Sequence, residues 1–220
     1  MSSTSPQKPR ASQDQRSQAT RERLIAATIE CIAAKGLAHA TTAEISERAG
    51  VSSGARVHHF KSKMDLVNAA ICFTYEQATV ESLGTAETAQ SQREPLRCYI
   101  EDAYQFYMGP RYLMQHEVVN AARTSPELME VVQPAANAYR AAVNDAWLDV
   151  FRRAGHSRSW SKAAMDLSVV IVRGLALGSF LRGRGGDADI LKIWREVMAH
   201  YPDTGSSKPA HAKPASARRA

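Results

Sequence analysis

A histidine–glutamate pair near the middle of the chain is its closest approach to a catalytic motif. His116-Glu117-Val118-Val119-Asn120 follows the zinc-protease pattern HExxH until its last position, where Asn120 replaces the second zinc ligand. His58 and His59 have no cysteine or carboxylate at ligand spacing, and the glycines at 183–186 lie between predicted helices, as a turn would. The sequence contains no nucleophile elbow, phosphate-binding loop or dinucleotide motif. We therefore predict no catalytic residue, no metal site and no cofactor, and the chain is not expected to be an enzyme.

The positive charge of the chain is concentrated toward its two ends. Residues 1–68 carry 10 Lys/Arg against 6 Asp/Glu, residues 69–201 carry 14 against 15, and residues 202–220 carry 4 against 1, which gives +4, −1 and +3. This distribution suits a polyanionic partner for the N-terminal part, although +4 also lies within the ordinary scatter of small domains. Three cysteines without a CxxC pair indicate neither a disulfide framework nor a zinc site. No apolar run at the N-terminus resembles a signal peptide, so we expect a soluble cytoplasmic protein that does not cross a membrane.

Residues 41–63 have the pattern of two short helices joined by a tight turn. The first helix starts at Thr42, which supplies a hydroxyl cap, and carries an acidic first turn and apolar residues one turn apart. Gly50 can adopt the left-handed conformation that ends this helix, and Ser52 caps a second helix that runs to about Phe60. This pattern predicts a helix-turn-helix, whose second helix enters the major groove of DNA.

The same segment resembles the DNA-binding domain of the TetR family of transcriptional regulators. The family signature is a helix ending in Ala-Gly-Val-Ser, then x-Gly, a short helix ending in His-Phe, and x-Ser-Lys; residues 49–63 read AGVSSGARVHHFKSK. Residues 36–42, GLAHATT, look like the family's link between its first and second helices. Beyond this segment the chain is similar to the family in length and helical layout only. The resemblance implies a homodimeric regulator that binds a double-stranded DNA operator, most often a repressor released by a small-molecule ligand.

The resemblance also assigns candidate DNA contacts. Residues expected to face the bases or their immediate backbone are Ser53, Gly54, Ala55 and Arg56, and those expected to contact phosphates are Thr42, His58 and Lys63. Independently of the family, these positions fall on the exposed face and the N-terminal end of the predicted second helix, at a helix start and just beyond the second helix.

Two neighbouring residues depart from the family pattern. Arg56-Val57 stands where many members have Leu-Tyr, and the tyrosine of those members commonly contacts a DNA phosphate. Valine cannot make that hydrogen bond. Arg56 has two interpretations: it reaches a guanine edge or a phosphate, or it lies along the protein surface with its stem packed.

The remaining sequence predicts helices throughout, so we expect an all-α fold with two domains. The predicted helices cover about 20–35, 62–83, 94–109, a segment from Pro110, 125–153, 161–181 and a segment from Asp187, with Thr20, Ser62 and Asp187 as caps and a loop at 84–93. The predicted domains are a disordered arm (1–19), a helix-turn-helix domain (20–66), a ligand-binding and dimerisation domain (67–201) and a disordered tail (202–220).

Two further sets of residues are candidates for ligand binding and dimerisation. Aromatic and methionine side chains of the larger domain could line a small-molecule pocket or could simply be helix-packing core; they are Tyr104, Tyr107, Met108, Tyr112, His116, Trp147 and Phe151. The last two helices are apolar enough to meet their own copies in a four-helix bundle, or to fold back on the same chain in a monomer. The predicted interface residues are Val170, Gly174, Leu177, Phe180, Leu181, Ile190, Ile193, Trp194 and Val197.

Overall fold

A computed structural model describes residues 12–92 and 94–203, apart from the side chain of Arg182. The described residues form α-helices and no strand, which confirms the predicted all-α fold. The helices are α1 (Gln13–Lys35), α2 (Thr42–Ala49), α3 (Ser53–His59), α4 (Lys63–Ala89), α5 (Pro95–Tyr107), α6 (Pro110–Ala122), α7 (Pro126–Arg153), α8 (Arg158–Arg182) and α9 (Asp187–His200).

The chain divides into two compact units. Unit 1 comprises the residues up to Gln77 together with Gly109–Asn137, and unit 2 comprises Ala78–Met108 together with the residues from Ala138 onwards. Helices α4 and α7 therefore contribute residues to both units. The predicted domains, 20–66 and 67–201, were drawn along the sequence and stay a prediction.

The core of unit 1 forms where α1 packs against α2 and α6. Its apolar positions are spaced three or four residues apart along each helix, which places them on one face. The fully buried side chains include Leu24, Ile25, Ile32, Ile45, Leu66, Ile71, Met114 and Val118. This core fixes the helix-turn-helix against α6, a helix that lies far from it in sequence.

The core of unit 2 is built on aromatic rings from α5, α7 and α8. The ring centroids of Tyr99 and Trp147 lie 5.1 Å apart in an edge-to-face arrangement, and those of Phe151 and Trp160 lie 5.9 Å apart in a similar one. Trp147 and Phe151 are completely buried. Pairs of this geometry add about 0.5–1.5 kcal/mol to the free energy gained from burial alone.

Two helix boundaries in unit 1 differ from the sequence prediction. Helix α1 starts at Gln13 and not at Thr20, because Ser12 and Gln15 form a capping box in which each side chain accepts the other's backbone N–H. Residues 13–19, predicted as part of a disordered arm, are therefore helical. Helix α2 is capped by Thr41, whose Oγ1 accepts the Glu44 N–H at 3.2 Å, so Thr42 is the first helical residue.

The predicted loop at 84–93 was also wrong, because α4 continues to Ala89. Ser82, Ala86 and Ala89 are buried in unit 2, so tertiary packing supports a stretch whose composition suggested a loop. At the start of α4, the predicted capping box is confirmed: the Asp65 carboxylate accepts the Ser62 N–H at 3.0 Å, and the Ser62 hydroxyl accepts the Asp65 N–H at 3.0 Å. The bond from the Ser62 N–H to the carboxylate lowers the pKa of Asp65.

The starts of the last two helices are also corrected. Helix α8 begins at Arg158 with Ser157 as its cap, three residues before the predicted start at Ser161. Asp187 is the first residue of α9 and Gly186 takes the cap position, so Asp187 does not cap the helix as predicted. Residues 1–11 and 204–220, which contain most of the predicted arm and tail, lie outside the described residues.

Candidate nucleic-acid interface

The turn between α2 and α3 has the geometry that the sequence predicted. Gly50 has φ +63° and ψ +39°, the left-handed conformation, and its N–H donates to the Glu47 carbonyl at 3.0 Å. The Val51 N–H donates to the Ser46 carbonyl at 2.9 Å, which satisfies a second carbonyl at the helix end. Ser52 then caps α3 by accepting the Ala55 N–H at 3.2 Å.

Side chains from α1 and from the end of α3 hold this turn in place. Arg23 donates through Nη1 to the Ala49 carbonyl at 3.2 Å, so it supplies a partner to the last turn of α2. Phe60, directly after α3, is buried, and the Arg21 guanidinium lies 5.5 Å from its ring centroid. Contacts at Ala49 and at Phe60 thus position α2 and α3 within unit 1. The outer side of α3 has no buried residue and does not take part in this packing.

The outer face of α3 carries short side chains exposed to solvent. No residue of α3 is buried, and the exposed positions are Ser53, Gly54, Ala55, Val57 and His58. At the position of a Gly54 side chain, no atom lies within 4 Å. A helix with such a face can bring its backbone close to the edges of base pairs. Four of the seven predicted DNA contacts lie here, and the sequence prediction did not include Val57.

Arg56 does not share this face. It is half-buried, and its Nη1 donates to the carbonyls of Phe60 at 3.0 Å and Lys61 at 3.3 Å. The side chain therefore lies along its own protein chain, the second of the two interpretations. A base or phosphate contact by Arg56 would require those bonds to be exchanged.

Lys63 and Thr42, two predicted phosphate contacts, lie beside the loop between α1 and α2. The Lys63 ammonium donates to the Leu37 carbonyl at 2.6 Å and lies 3.4 Å from the Ala38 carbonyl. The backbone N–H of Leu37 donates to the carboxylate of Glu117, on α6, at 3.1 Å. Both backbone polar groups of Leu37 are thus held by charged side chains, an arrangement we call the Leu37 clamp. Thr42 is half-buried at the start of α2.

Comparison with known proteins finds a match over the same segment. Residues 24–70 match the sequence profile of "Bacterial regulatory proteins, tetR family", a segment that spans the helix-turn-helix and the start of α4. The transcriptional regulator CymR of Pseudomonas putida is 32% identical over 170 residues, which covers 77% of this chain and 84% of CymR. The chain belongs to the TetR family. As a TetR-family protein it is a DNA-binding transcriptional regulator with a helix-turn-helix.

Solved structures of other regulators confirm the fold of this TetR-family chain. A protein from Mesorhizobium loti, described as a TetR-family transcriptional regulator, superposes with a TM-score of 0.67 at 16% identity, over 84% of this chain and 95% of the other. A regulator from Saccharomonospora viridis, solved in complex with choline, superposes with a TM-score of 0.63 at 14% identity, over 84% and 97%. At these identities the likeness concerns the fold alone.

The predicted ligand residues are divided between the two units of the TetR-family chain. In unit 2, Trp147 donates through Nε1 to the Ser82 hydroxyl at 3.0 Å, and the Tyr104 hydroxyl donates to the Asp187 carboxylate at 3.1 Å. Tyr107, Met108 and Phe151 also belong to unit 2, whereas Tyr112 and His116, whose ring centroids are 6.0 Å apart on α6, belong to unit 1. An open depression of about 740 Å³ in unit 2 is lined by none of them.

Most of the predicted dimer residues form an exposed apolar surface in unit 2. On α8, Leu167, Val170, Gly174, Leu177 and Leu181 are exposed at alternating spacings of three and four residues, the pattern of a helix–helix seam. Phe180 borders this row, and Ile190, Ile193 and Val197 are exposed on α9. We call these nine residues the α8–α9 surface. Trp194 is not part of it, because it is buried and donates through Nε1 to the Ser168 hydroxyl at 2.8 Å.

By length and composition alone, α8 could also cross a membrane. It is the one such helix in the described part of the chain, and 33% of its most apolar window is buried within the protein. Lys162, Asp166 and Arg173 interrupt its surface. In the residues that the structure describes, no group of three His, Cys, Asp or Glu side chains could hold a metal ion.

Proposed function

We propose that this TetR-family chain is a homodimeric repressor that binds a palindromic operator through α2 and α3 and is released from it by a small molecule. The observation that carries the proposal is the outer face of α3, which is exposed, short in side chains and positioned by the rest of unit 1. In this proposal Ser53, Gly54 and Ala55 approach the bases, and His58 and Lys63 approach phosphates, as does Thr42. Arg56 contributes by fixing the end of α3.

The α8–α9 surface supports the proposed dimer. Leu181 is 95% exposed, and Val170 and Phe180 are each 64% exposed. Several large apolar side chains exposed on neighbouring helices are typical of a protein–protein interface. Gly174 has no Cβ, and apart from the backbone of its own helix no atom lies within 4 Å of the position that a Cβ would occupy. Two α8 helices could therefore approach closely there.

Polar atoms buried without partners support a ligand. Among the described residues, buried side-chain atoms without a hydrogen-bond partner include the Thr74 hydroxyl and Gln115 Oε1, as well as Asn68 Oδ1 and Arg56 Nε. Such groups cost about 1–3 kcal/mol each when they stay unsatisfied. Gln115 lies next to His116 and three residues after Tyr112 on α6, so a polar ligand near these side chains would relieve the cost. The Saccharomonospora viridis regulator of similar fold was solved in complex with choline, which supports a small-molecule ligand for this chain.

Ligand binding would release the protein from DNA through a coupling free energy, by which occupancy of the ligand site lowers the affinity of the operator site. Helix α4 has residues in both units and starts at the Leu37 clamp, so a change in its position would alter the separation of the two α3 helices in the dimer. Half-sites read by such dimers lie about one helical turn apart. A change of a few ångströms in the separation of the two α3 helices, on the order of one base-pair step, would prevent both helices from binding their half-sites at once.

Selection of genomic fragments by the purified protein at physiological salt, followed by footprinting, tests the proposal. A palindrome with half-sites about one turn apart is the expected result. Uniform recovery of fragments would replace it with a non-specific, nucleoid-type binder. If an operator is found but no metabolite shifts the melting temperature or the affinity, the chain is a ligand-independent regulator.

The dimer has a separate test with a matched control. Leu177 in the α8–α9 surface is 38% exposed, and Leu83 on α4 is 39% exposed. Leu177→Glu should convert the dimer to a monomer in analytical ultracentrifugation, because a buried unpaired carboxylate is costly. Leu83→Glu should leave the mass unchanged. A dimer that survives Leu177→Glu would remove the α8–α9 surface from the proposal.

A further inference from the structure

Val57 is an apolar side chain on the outer part of the helix that is to enter the groove. It is 47% exposed, although the preceding residue, Arg56, turns toward the protein. Isolated exposed apolar residues are common on protein surfaces. Val57 differs from most of them because it lies one helical turn after Ser53 and Gly54, which are to approach base-pair edges.

The residue one turn before Val57 is Gly54, which has no side chain that could cover the Val57 methyl groups. Side chains on a helix lean toward its N-terminus, so a residue at i covers the surface near i−3. For Val57 that position is Gly54, which has no side chain and no other atom within 4 Å of a would-be Cβ. The result is a small apolar patch flanked by Ser53 and His58, both exposed.

Only one base presents an apolar group in the major groove. Thymine carries a C5-methyl group there, whereas the other bases present hydrogen-bond donors and acceptors. Arg56, the long side chain of α3 that could read guanine, is occupied by the carbonyls of Phe60 and Lys61. We propose that Val57 is a specificity-determining residue that selects a thymine in each operator half-site by contact with its C5-methyl group. This inference rests on the proposed function.

The size of the effect follows from one methyl group per half-site. Removing that group from contact with Val57 should weaken binding about fourfold, and removing both in a palindrome about fifteenfold. This preference for a base with a C5-methyl group is weaker than the preference given by a bidentate hydrogen-bonded pair. It still identifies one base, because only thymine carries that methyl group.

Deoxyuridine tests the proposal, because it keeps every hydrogen-bonding group of thymine and lacks only the methyl group. Each thymine of the selected operator is replaced in turn by deoxyuridine, symmetrically in both half-sites, and the affinity is measured by fluorescence anisotropy at constant salt. We expect one symmetric pair of positions at which the wild-type protein loses about fifteenfold. Val57→Ala should bind the thymine and deoxyuridine operators equally at that pair. Val80→Ala, at an exposed valine of α4 outside the helix-turn-helix, should behave as the wild type.

The outcomes separate this inference from the proposed function. If the protein selects an operator but no deoxyuridine pair weakens its binding, or if Val57→Ala retains the full penalty, Val57 does not read a thymine and the regulator proposal stands. If no operator is selected, both fall together. The scan with wild-type protein does not depend on the folding of any variant, and a melting curve of Val57→Ala shows whether its result is a local one.

Discussion

The Leu37 clamp yields a quantitative prediction about how the DNA-binding loop is held. The Glu117 carboxylate accepts the Leu37 N–H at 3.1 Å in an exposed setting, and the Lys63 ammonium donates to the Leu37 carbonyl at 2.6 Å in a partly buried one. Hydrogen bonds to charged groups contribute about 1.5–3 kcal/mol where water is excluded and less where it is not. We therefore expect Glu117→Ala to lower the free energy of unfolding by about 1 kcal/mol and Lys63→Ala by about 1–2 kcal/mol.

Gly36 explains why the carboxylate can come so near the loop. A Cβ at Gly36 would lie 3.1 Å from the Glu117 Oε2 atom, and the backbone there has φ +81°. Because both bonds act on one residue, the two substitutions should not be additive. A double-mutant cycle should give an interaction energy of about 0.5–1 kcal/mol.

The same pair of variants shows whether Lys63 also contacts DNA. Each phosphate contact contributes about 0.9 to the slope of log K against log salt, so loss of two Lys63 contacts in a dimer should reduce the slope by nearly two. Glu117→Ala opens the same clamp without removing a positive charge, so its slope should equal that of the wild type. Glu130→Ala, at an exposed residue of α7 in unit 1, controls for the loss of a negative charge.

Chemical denaturation and salt-dependent anisotropy measure the two quantities separately. Unchanged stability of Glu117→Ala would refute the clamp as a structural element. An unchanged slope for Lys63→Ala, with reduced stability, would leave Lys63 as a clamp residue and remove it from the phosphate contacts.

Three further predictions concern caps and buried charge. Gly50→Ala should destabilise the protein by about 1–2 kcal/mol in thermal denaturation, because a left-handed residue must then carry a Cβ; the nearest atom would be Arg23 Nη1 at 3.7 Å, so the cost is conformational and not steric. Ser52→Ala should cost about 1 kcal/mol through loss of the α3 cap and should lower operator affinity in anisotropy. Burial raises the pKa of Asp102, opposed in part by the bond from the Ser82 hydroxyl at 2.5 Å, so its ionisation opposes folding as the pH rises above 3.8. Asp102→Asn keeps an acceptor for Ser82, and its melting temperature should exceed that of the wild type by a margin that grows as the pH rises from 3.8 toward the raised pKa of Asp102; a constant margin would contradict this account.

The helix-turn-helix could be predicted from the sequence because its determinants are local. Gly50 supplies a left-handed residue and Ser52 a cap, and each acts on backbone groups within a few positions. The start of α1 was not predicted, although its determinant is also local. Residues 13–19 are exposed and lack apolar periodicity, so the capping box at Ser12 is the main local signal for a helix there.

Features that depend on contacts distant in sequence could not be predicted. The Leu37 clamp joins residues that are 80 positions apart. The bonds that turn Arg56 toward the protein are local, and the sequence left this orientation as one of two interpretations. Trp194 fits the apolar stripe of α9 in sequence, yet its indole N–H finds the Ser168 hydroxyl and its ring is buried. Periodicity identifies an apolar face and cannot say which of its members turn inward.

The small reading surface of α3 makes the proposed dimer a requirement of its specificity. One protomer offers a half-site five exposed α3 residues, which are Ser53, Gly54, Ala55, Val57 and His58. Arg56 is engaged within the protein. A half-site read by so few groups gives a protomer little advantage over non-specific binding, which typically has a dissociation constant of about 10⁻⁴–10⁻⁶ M. Two half-sites linked through the α8–α9 surface turn the second contact into an intramolecular event, which raises the affinity by about 10²–10⁴. The monomer produced by Leu177→Glu should therefore lose operator selection altogether while it retains weak, salt-sensitive binding to any DNA, since the substitution lies in unit 2 and leaves the charge of unit 1 and its α3 helix unchanged.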